Sequence, residues 1–417
     1  MLLRKYVILC PDGVADLPLA ELGGKTPLEY AKTPNMDSVA ARGVTGLVKT
    51  IPCGCLPGSD IGSMSILGYD PLNYYTGRSP LEAASMGVEL GKDEVAFRLN
   101  LVNILEKDGK KYMNDYSGGH ISTEEAKDII ETFQKELGGD KFQFYSGVSY
   151  RHLLIAKGAD VHSLKTVAPH DIPDLQIDEY LPHDSVLSEE ILNIMKKAEK
   201  ILKSHEVNKK RVAAGKLPAN FIWLWGQGCK PVMPTLKEAY GLSGSVISAV
   251  DLVKGIGRYA GLKVINVPGA TGYLDTNYEG KVEYGIESLK DGDFVYIHVE
   301  APDEASHEGS IDKKLKAIED FDKFIVGGVL EGLKKFEEYT LMILPDHYNQ
   351  VKLKKHTPEP VPFCGFSVQI KNKNKNAKGK YSADYYSETL AQNSGLFFNS
   401  GSLLFKAFLN EFKDFIE

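Results

Sequence analysis

Three short apolar runs, far apart in this chain, each lead into an aspartate, and two of those aspartates have histidines close by. VILCPDG places Asp12 after the first run. FVYIHVEAPDEASHEG places Asp303 and His307 after the second. TLMILPDHYNQVKLKKHTPEP places Asp346 and His347 after the third, with His356 nine residues beyond His347. Such runs read as buried strands of a parallel sheet. The helical pattern IDKKLKAIEDFDKFIVGGVLEGLKKF lies between the second and third runs, which implies a right-handed parallel crossover. In a parallel sheet, binding groups collect outside the carboxyl ends of the strands. The feature therefore demands an α/β fold with six acid and imidazole groups at one sheet edge. Taken singly, each of the six is better read as a helix cap or loop residue. All six at three strand ends are not. Mixed carboxylate and imidazole donors suit Mn²⁺ or Zn²⁺, and less readily Mg²⁺ or Ca²⁺. Three Asp and three His are enough for two ions, and a pair of ions clamps both oxygens of an in-line phosphoryl displacement.

A clamp on phosphate needs a nucleophile or a water. CGCLPGSDIGSMSILGYDP offers Ser59 between Gly58 and Asp60, ahead of a helix start over Ile61–Leu67. A serine there faces the N–H groups of a helix end, and a metal on its hydroxyl lowers the hydroxyl pKa. Taken alone, GSD is weak and is better read as a turn serine or a helix N-cap.

The rest of the chain fits around this edge. Tyr6–Leu9 reads as the first strand. Thr33 suits an N-cap, Pro34 a first helical turn and Gly43 a stop, with Met36, Val39 and Ala40 on one face. ISTEEAKDIIETFQKEL is a second helix with a Ser122/Glu125 capping box, and SEEILNIMKKAEKILKSH is a third. VNKKRVAAGKLPAN reads as a linker or surface loop, FIWLW as a strand, VISAVDLVKGIGRYAG as a helix and KVINV as a strand. KNKNKNAKGK reads as a solvated loop. Residues 1–91 with 236–417 are expected to form one sheet domain, and 92–235 an inserted, more irregular one.

Composition excludes several alternatives. The 417 residues are 43% hydrophobic and 25% charged, which suits a globular chain of two or three domains. The net charge of −7 argues against a nucleic-acid surface. Five cysteines make no disulfide scaffold, Cys53 and Cys55 are too sparse for a zinc site, and reduced cytoplasmic thiols are the simplest reading. MLLRKYVILC has too short an apolar run for a signal peptide, and no stretch approaches a membrane span. No G-x-x-x-x-G-K-[ST] loop is present, and GIGRYAG is only a loose dinucleotide match inside a helical pattern.

DGVADLPLAELGGKTPLEYAKTPNMDSVAARG, PGSDIGSMSILGYDP, YTGRSPLEAASMGV, HISTEEA, VPGATGYLDTNYE, the Asp303–His307 spacing and PDH followed by KKHTPEPVP together resemble the alkaline phosphatase superfamily. Within it, the chain resembles the archaeal-type, cofactor-independent (2,3-bisphosphoglycerate-independent) phosphoglycerate mutases. The resemblance implies an alkaline-phosphatase-like, doubly wound, mostly parallel sheet with an inserted α+β cap domain. It implies one metal held by Asp303, His307 and His356, and another by Asp12, Ser59, Asp346 and His347. Ser59 would carry the phosphate as phosphoserine, and the inserted segment would keep water from it. The expected partner is a small phosphorylated or hydroxylated carboxylate, with Arg78, His120 and Arg151 reading its anions. The activity implied is the interconversion of 3-phosphoglycerate and 2-phosphoglycerate in glycolysis.

The chain departs from that family at four places. His120 stands where an Arg precedes the IST of the second helix, and Trp225 where a strand carries an Arg. Gly62 and Ser63 replace an Ala-His pair, and FFNSGS replaces an Arg-Gly-His-Asp-like stretch. A thinned anion-reading half keeps one rival in view, a homoserine kinase on the same scaffold; a phosphatase or phosphodiesterase releasing phosphate to water is a third, separate reading. Asp275 and Lys281 either face substrate or lie on the surface.

Overall fold

The computed structural model describes residues 4–158, 163–185, 187–368 and 380–416. They form two compact units, Met1–Tyr75 with Val232–Glu417, and Thr76–Pro231. The inserted unit thus begins at Thr76 rather than residue 92, and ends at Pro231 rather than 235. The cause lies in the segment before residue 92, where Ala83 and Leu90 pack against Ala96, Leu153 and Ile155 of the second unit.

In chain order the first unit opens with strands β1 (Lys5–Pro11) and β2 (Val44–Val48). The second unit contributes β3 (Glu94–Lys107), β4 (Lys110–Asp115), β5 (Phe142–Val148), β6 (Arg151–Lys157) and β7 (Phe221–Cys229). The first unit then resumes with β8 (Gly244–Ile247), β9 (Lys263–Val264), β10 (Phe294–Val299), β11 (Tyr339–Ile343), β12 (Tyr348–Gln350), β13 (Lys355–Thr357), β14 (Val361–Val368) and β15 (Phe397–Phe398).

The central sheet runs β15-β2-β14-β11-β1-β10-β8-β9. It is parallel except for β14, which runs against β11 and β2. The three apolar runs are neighbours, with β1 paired in parallel to both β10 and β11 and Ile8 opposite Tyr296 and Met342. Every residue of β10 and β11 is buried, as continuous apolar strands in a covered sheet must be. The crossover between them is helical throughout, Ile311–Asp320 and Gly327–Leu333 joined by a wider turn at Phe321–Val326.

Two expected elements change type. VISAVDLVKGIGRYAG splits into β8 and the helix Asp251–Tyr259. The break is fixed from outside, because Glu300 Oε1 accepts the N–H groups of Ala249 at 2.6 Å and Val250 at 3.2 Å. Glu206–Ala213, expected within a loop, is helical. His205 caps it through Val207 N–H, and its Arg211 is buried rather than solvated. Thr33 holds the N-cap position of the helix Pro34–Arg42 without a capping bond, and Asp322 from the crossover accepts Asn35 N–H and Met36 N–H instead.

The second unit is an antiparallel sheet. The long β3 pairs with β4, β6 and β7, and β5 pairs with β6. Helices Thr123–Leu137 and Leu187–Ser204 cover it, burying Ile129, Phe133, Ile191 and Met195 with Phe97, Leu99 and Trp223. The Ser122/Glu125 capping box is formed. KNKNKNAKGK, apart from its last lysine, lies outside the described residues. Among the described residues no helix is long and apolar enough to cross a membrane.

Candidate active site

Because β10, β1 and β11 are adjacent and parallel, their carboxyl ends deliver Asp303 with His307, Asp12, and Asp346 with His347 to one edge. His356 joins them from β13, which pairs with β12 so that His356 lies opposite Asn349. Ser59 opens the helix Ser59–Ile66 and is half-buried. That helix lies tight against the third strand end. A Cβ at Gly62 would come within 2.4 Å of the Asp346 carbonyl oxygen, so the missing side chain at Gly62 permits the approach.

The donor atoms converge in two groups. In one, Asp303 Oδ2 is 3.2 Å from His307 Nε2, Asp303 Oδ1 is 3.2 Å from His356 Nε2, and the two histidine Nε2 atoms are 2.8 Å apart. In the other, Ser59 Oγ lies 3.2 Å from Asp12 Oδ2 and 3.4 Å from His347 Nε2, with His347 Nε2 3.3 Å from Asp12 Oδ1 and 3.6 Å from Asp346 Oδ2.

These residues fit divalent ions on three grounds. First, ligands about 2.1 Å from an ion stand roughly 3.0–3.4 Å from one another, close to the spacings found. Second, each histidine turns Nδ1 to a main-chain carbonyl, His307 to Lys354 O at 3.2 Å, His347 to Tyr348 O at 3.2 Å and His356 to Pro57 O at 3.4 Å. That fixes the hydrogen on Nδ1 and leaves the Nε2 lone pair facing inward. Third, Asp346 Oδ1 accepts Gly13 N–H and His347 N–H, while its buried Oδ2 has no hydrogen-bond partner among the described residues. Asn349 Nδ2 donates to Asp303 Oδ1 at 2.7 Å and so orients that carboxylate.

The electrostatics follow from packing so many like charges. Burial and the charges of Asp346 and Asp303 push Asp12 well up. Burial also raises Asp303, but hydrogen bonds from His307 and His356 outweigh it and hold that carboxyl well down. Burial lowers His347, which keeps its imidazole neutral.

Sequence reading missed a second tier. His298 on β10 is fully buried beside Asp12 and Asp346. Burial lowers His298, but the negative charges of Glu300 and Asp346 beside it outweigh that and lift it to about 9. Glu300 pairs with Lys281 at 2.9 Å. Lys281 is therefore wholly buried, not on the surface, whereas Asp275 is exposed and accepts a hydrogen bond from Thr271. A histidine inside the apolar run FVYIHV was the available signal.

The second unit carries its own polar cluster. Arg78 is half-buried at the start of the helix Arg78–Ser85, and Arg151 is exposed at the start of β6. Arg98, which sequence reading passed over, pairs across the strands with Trp225 and lies 4.4 Å over its ring. Its Nε is 3.0 Å from Glu82 Oε2. Burial lowers the Arg98 pKa against the pull of Glu82, and Arg78 and Arg151 lower it further, so three arginines share one neighbourhood. His170 packs edge-on against Trp225 at 5.4 Å, and Arg151 lies 5.8 Å over Tyr150. Trp225 thus supports an arginine instead of being one. His120 is exposed in the turn before Thr123–Leu137, at φ 51°.

A family model described as 2,3-bisphosphoglycerate-independent phosphoglycerate mutase matches residues 40–208. A probable 2,3-bisphosphoglycerate-independent phosphoglycerate mutase of Geobacter sulfurreducens is 50% identical over 406 residues, spanning 97% of this chain and 100% of the relative. A solved protein from Pyrococcus horikoshii superposes with a TM-score of 0.80 at 30% identity, over 98% of this chain and 97% of that one. The cofactor-independent phosphoglycerate mutase of Thermoplasma acidophilum shares the fold, with a TM-score of 0.66 at 24% identity over 98% and 99% of the two chains.

Proposed function

The chain belongs to the family of 2,3-bisphosphoglycerate-independent phosphoglycerate mutases, and from that premise we propose that it interconverts 3-phosphoglycerate and 2-phosphoglycerate through a phosphoserine at Ser59. The observation that carries the reading is the place of Ser59. A half-buried hydroxyl opens a helix, 3.2 Å from Asp12 and 3.4 Å from His347, inside a ring of carboxylate and imidazole donors. The relative that spans 97% of this chain carries the mutase name, and the kinase alternative gains no support from it.

Asp303, His307 and His356 would hold one divalent ion, and Asp12, Ser59, Asp346 and His347 the other. Bound there, the ions supply positive charge that lowers the Ser59 hydroxyl pKa and neutralises phosphoryl oxygens. The donor mix favours Mn²⁺, with Zn²⁺ or Mg²⁺ as alternatives. Ser59 Oγ attacks the substrate phosphorus, and the bond from phosphorus to the glycerate oxygen breaks. The glycerate stays bound, and its other hydroxyl oxygen attacks the Ser59 phosphate, which restores Ser59. Main-chain N–H groups at the helix start face the phosphate. Arg78, His120 and Arg151, joined by Arg98, are the proposed readers of the carboxylate and phosphate charges. All five cysteines are free thiols, which supports a reducing, cytoplasmic setting.

Ser59→Ala should abolish turnover while circular dichroism and metal content stay near wild type. Near-normal turnover in that variant would exclude the covalent intermediate. Paired assays, one on 3-phosphoglycerate and one on homoserine with ATP, test the substrate. Activity only in the second would overturn the mutase reading.

A further inference from the structure

The ion site built from Asp12, Ser59, Asp346 and His347 belongs to the function proposed above, and a role for His298 at that site rests on the same reading. His298 is a further fully buried group that faces the same point. Its Nε2 lies 3.4 Å from Asp12 Oδ2 and 3.6 Å from Asp346 Oδ2. His347 Nε2 stands in the matching position, 3.3 Å from Asp12 Oδ1 and 3.6 Å from the same Asp346 oxygen. Among the described residues, neither His298 Nε2 nor Asp346 Oδ2 has a hydrogen-bond partner. Their contacts are too long or too poorly aimed for an N–H···O bond. As distances between neighbouring ligands of one ion, they are close to the roughly 3.0–3.4 Å that bonds near 2.1 Å require.

The other ring nitrogen decides the tautomer. His298 Nδ1 faces Glu300 Oε1 at 3.3 Å and Ser248 Oγ at 3.4 Å. Ser248 already donates its proton to Glu300 Oε1 at 2.7 Å. Both neighbours of Nδ1 therefore offer lone pairs, and Nδ1 carries the hydrogen. Lys281 Nζ, 2.9 Å from Glu300 Oε2, balances that carboxylate in the interior. Carboxylate, imidazole and ion in line is the usual bracing of a ligating histidine. Nε2 is left facing two carboxylate oxygens, where a bound divalent ion would take the place of the ring's second proton.

We propose that His298, through Nε2, is a fifth ligand of the ion at the Asp12–Ser59–Asp346–His347 site, with Glu300 and Lys281 as the buried pair that holds it in place. The full chain loaded with two Co²⁺ tests this by proton NMR in water. Each imidazole bound through Nε2 shows its Nδ1–H as a strongly shifted, exchangeable signal. Four such signals are expected, from His298, His307, His347 and His356. Three signals in the wild-type protein would overturn the proposal, and that count needs no variant to fold. His298→Gln should remove one signal and weaken Co²⁺ binding at that site by at least about tenfold. His347→Ala separates the premise from the inference. If it removes a signal and His298→Gln removes none, only the role of His298 fails. If His347→Ala changes neither the spectrum nor Co²⁺ binding, the ion site itself fails, and this proposal with it.

Discussion

Asp346 shows how a single side chain serves fold and site at once. One oxygen ties down the β1 and β11 ends through Gly13 and His347 N–H groups, and the other faces the donor group with no hydrogen-bond partner among the described residues. Glu388 is a different case, a buried carboxylate away from the donors. It accepts hydrogen bonds from Asp16 N–H at 3.0 Å and Thr26 Oγ1 at 2.6 Å. Burial outweighs those bonds and pushes its carboxyl from 4.5 up to about 7. The folded protein therefore keeps a proton that the unfolded chain releases. The stability from Glu388 is complete below pH 4.5 and is lost as pH rises through about 7. Glu388→Gln keeps both bonds, its amide oxygen accepting Asp16 N–H and its NH₂ donating to Thr26. In denaturant unfolding of the metal-free protein, the variant should match wild type near pH 4.5 and exceed it above pH 7 by up to roughly 3 kcal/mol. A difference that does not change with pH would refute a raised Glu388. At this scale the sequence announced Asp12, Ser59 and the Asp and His residues just past the strands, because loop residues of those types stand out. It hid His298 and Arg98, because a polar residue inside an apolar strand takes the strand's pattern and only its neighbours explain it.

Elements were read best where their own sequence decides them. The Ser122/Glu125 box and the apolar stripe behind it form the helix Thr123–Leu137 as their spacing requires. Elements fixed from outside were misread. The helix Glu206–Ala213 has a basic, weakly amphipathic sequence that suits a loop. Its Arg211 is nonetheless buried, with Nε on Leu217 O, Nη2 on Gly118 O and Gly119 O, and Nη1 on Glu125 at 2.6 Å. One guanidinium thus pins this helix, the turn at 118–119 and the helix Thr123–Leu137. Arg211→Ala leaves Glu125 and three carbonyls without that partner, and should cost about 3–5 kcal/mol in thermal or chemical unfolding. A loss below about 0.5 kcal/mol would return Arg211 to a solvated face. The split of VISAVDLVKGIGRYAG has the same origin, since Glu300 from the end of β10 holds the break.

At the scale of the molecule, each unit has a core of its own, and the seven candidate ligands named from the sequence, with His298, lie in the first unit. Its chain is interrupted at closely placed points, because Tyr69 before the insertion donates to Pro234 O after it at 2.8 Å. A chain with 76–231 replaced by a short Gly-Ser linker should still bind divalent ions by calorimetry while losing mutase activity. Loss of ion binding in a folded deletion variant would mean that the ligand geometry is not contained in the first unit.

The sequence by itself determined the parallel α/β core, the strand ends that meet, the helix-opening serine and the presence of an inserted segment. Those follow from apolar periodicity and from side chains whose chemistry has few uses in a loop. Only the tertiary structure decided where the insertion begins, that Trp225 supports Arg98, that Lys281 is buried, and that His298 faces the ligand group. These depend on which strands lie side by side and which charges share a low-dielectric interior, and neither is encoded in local spacing.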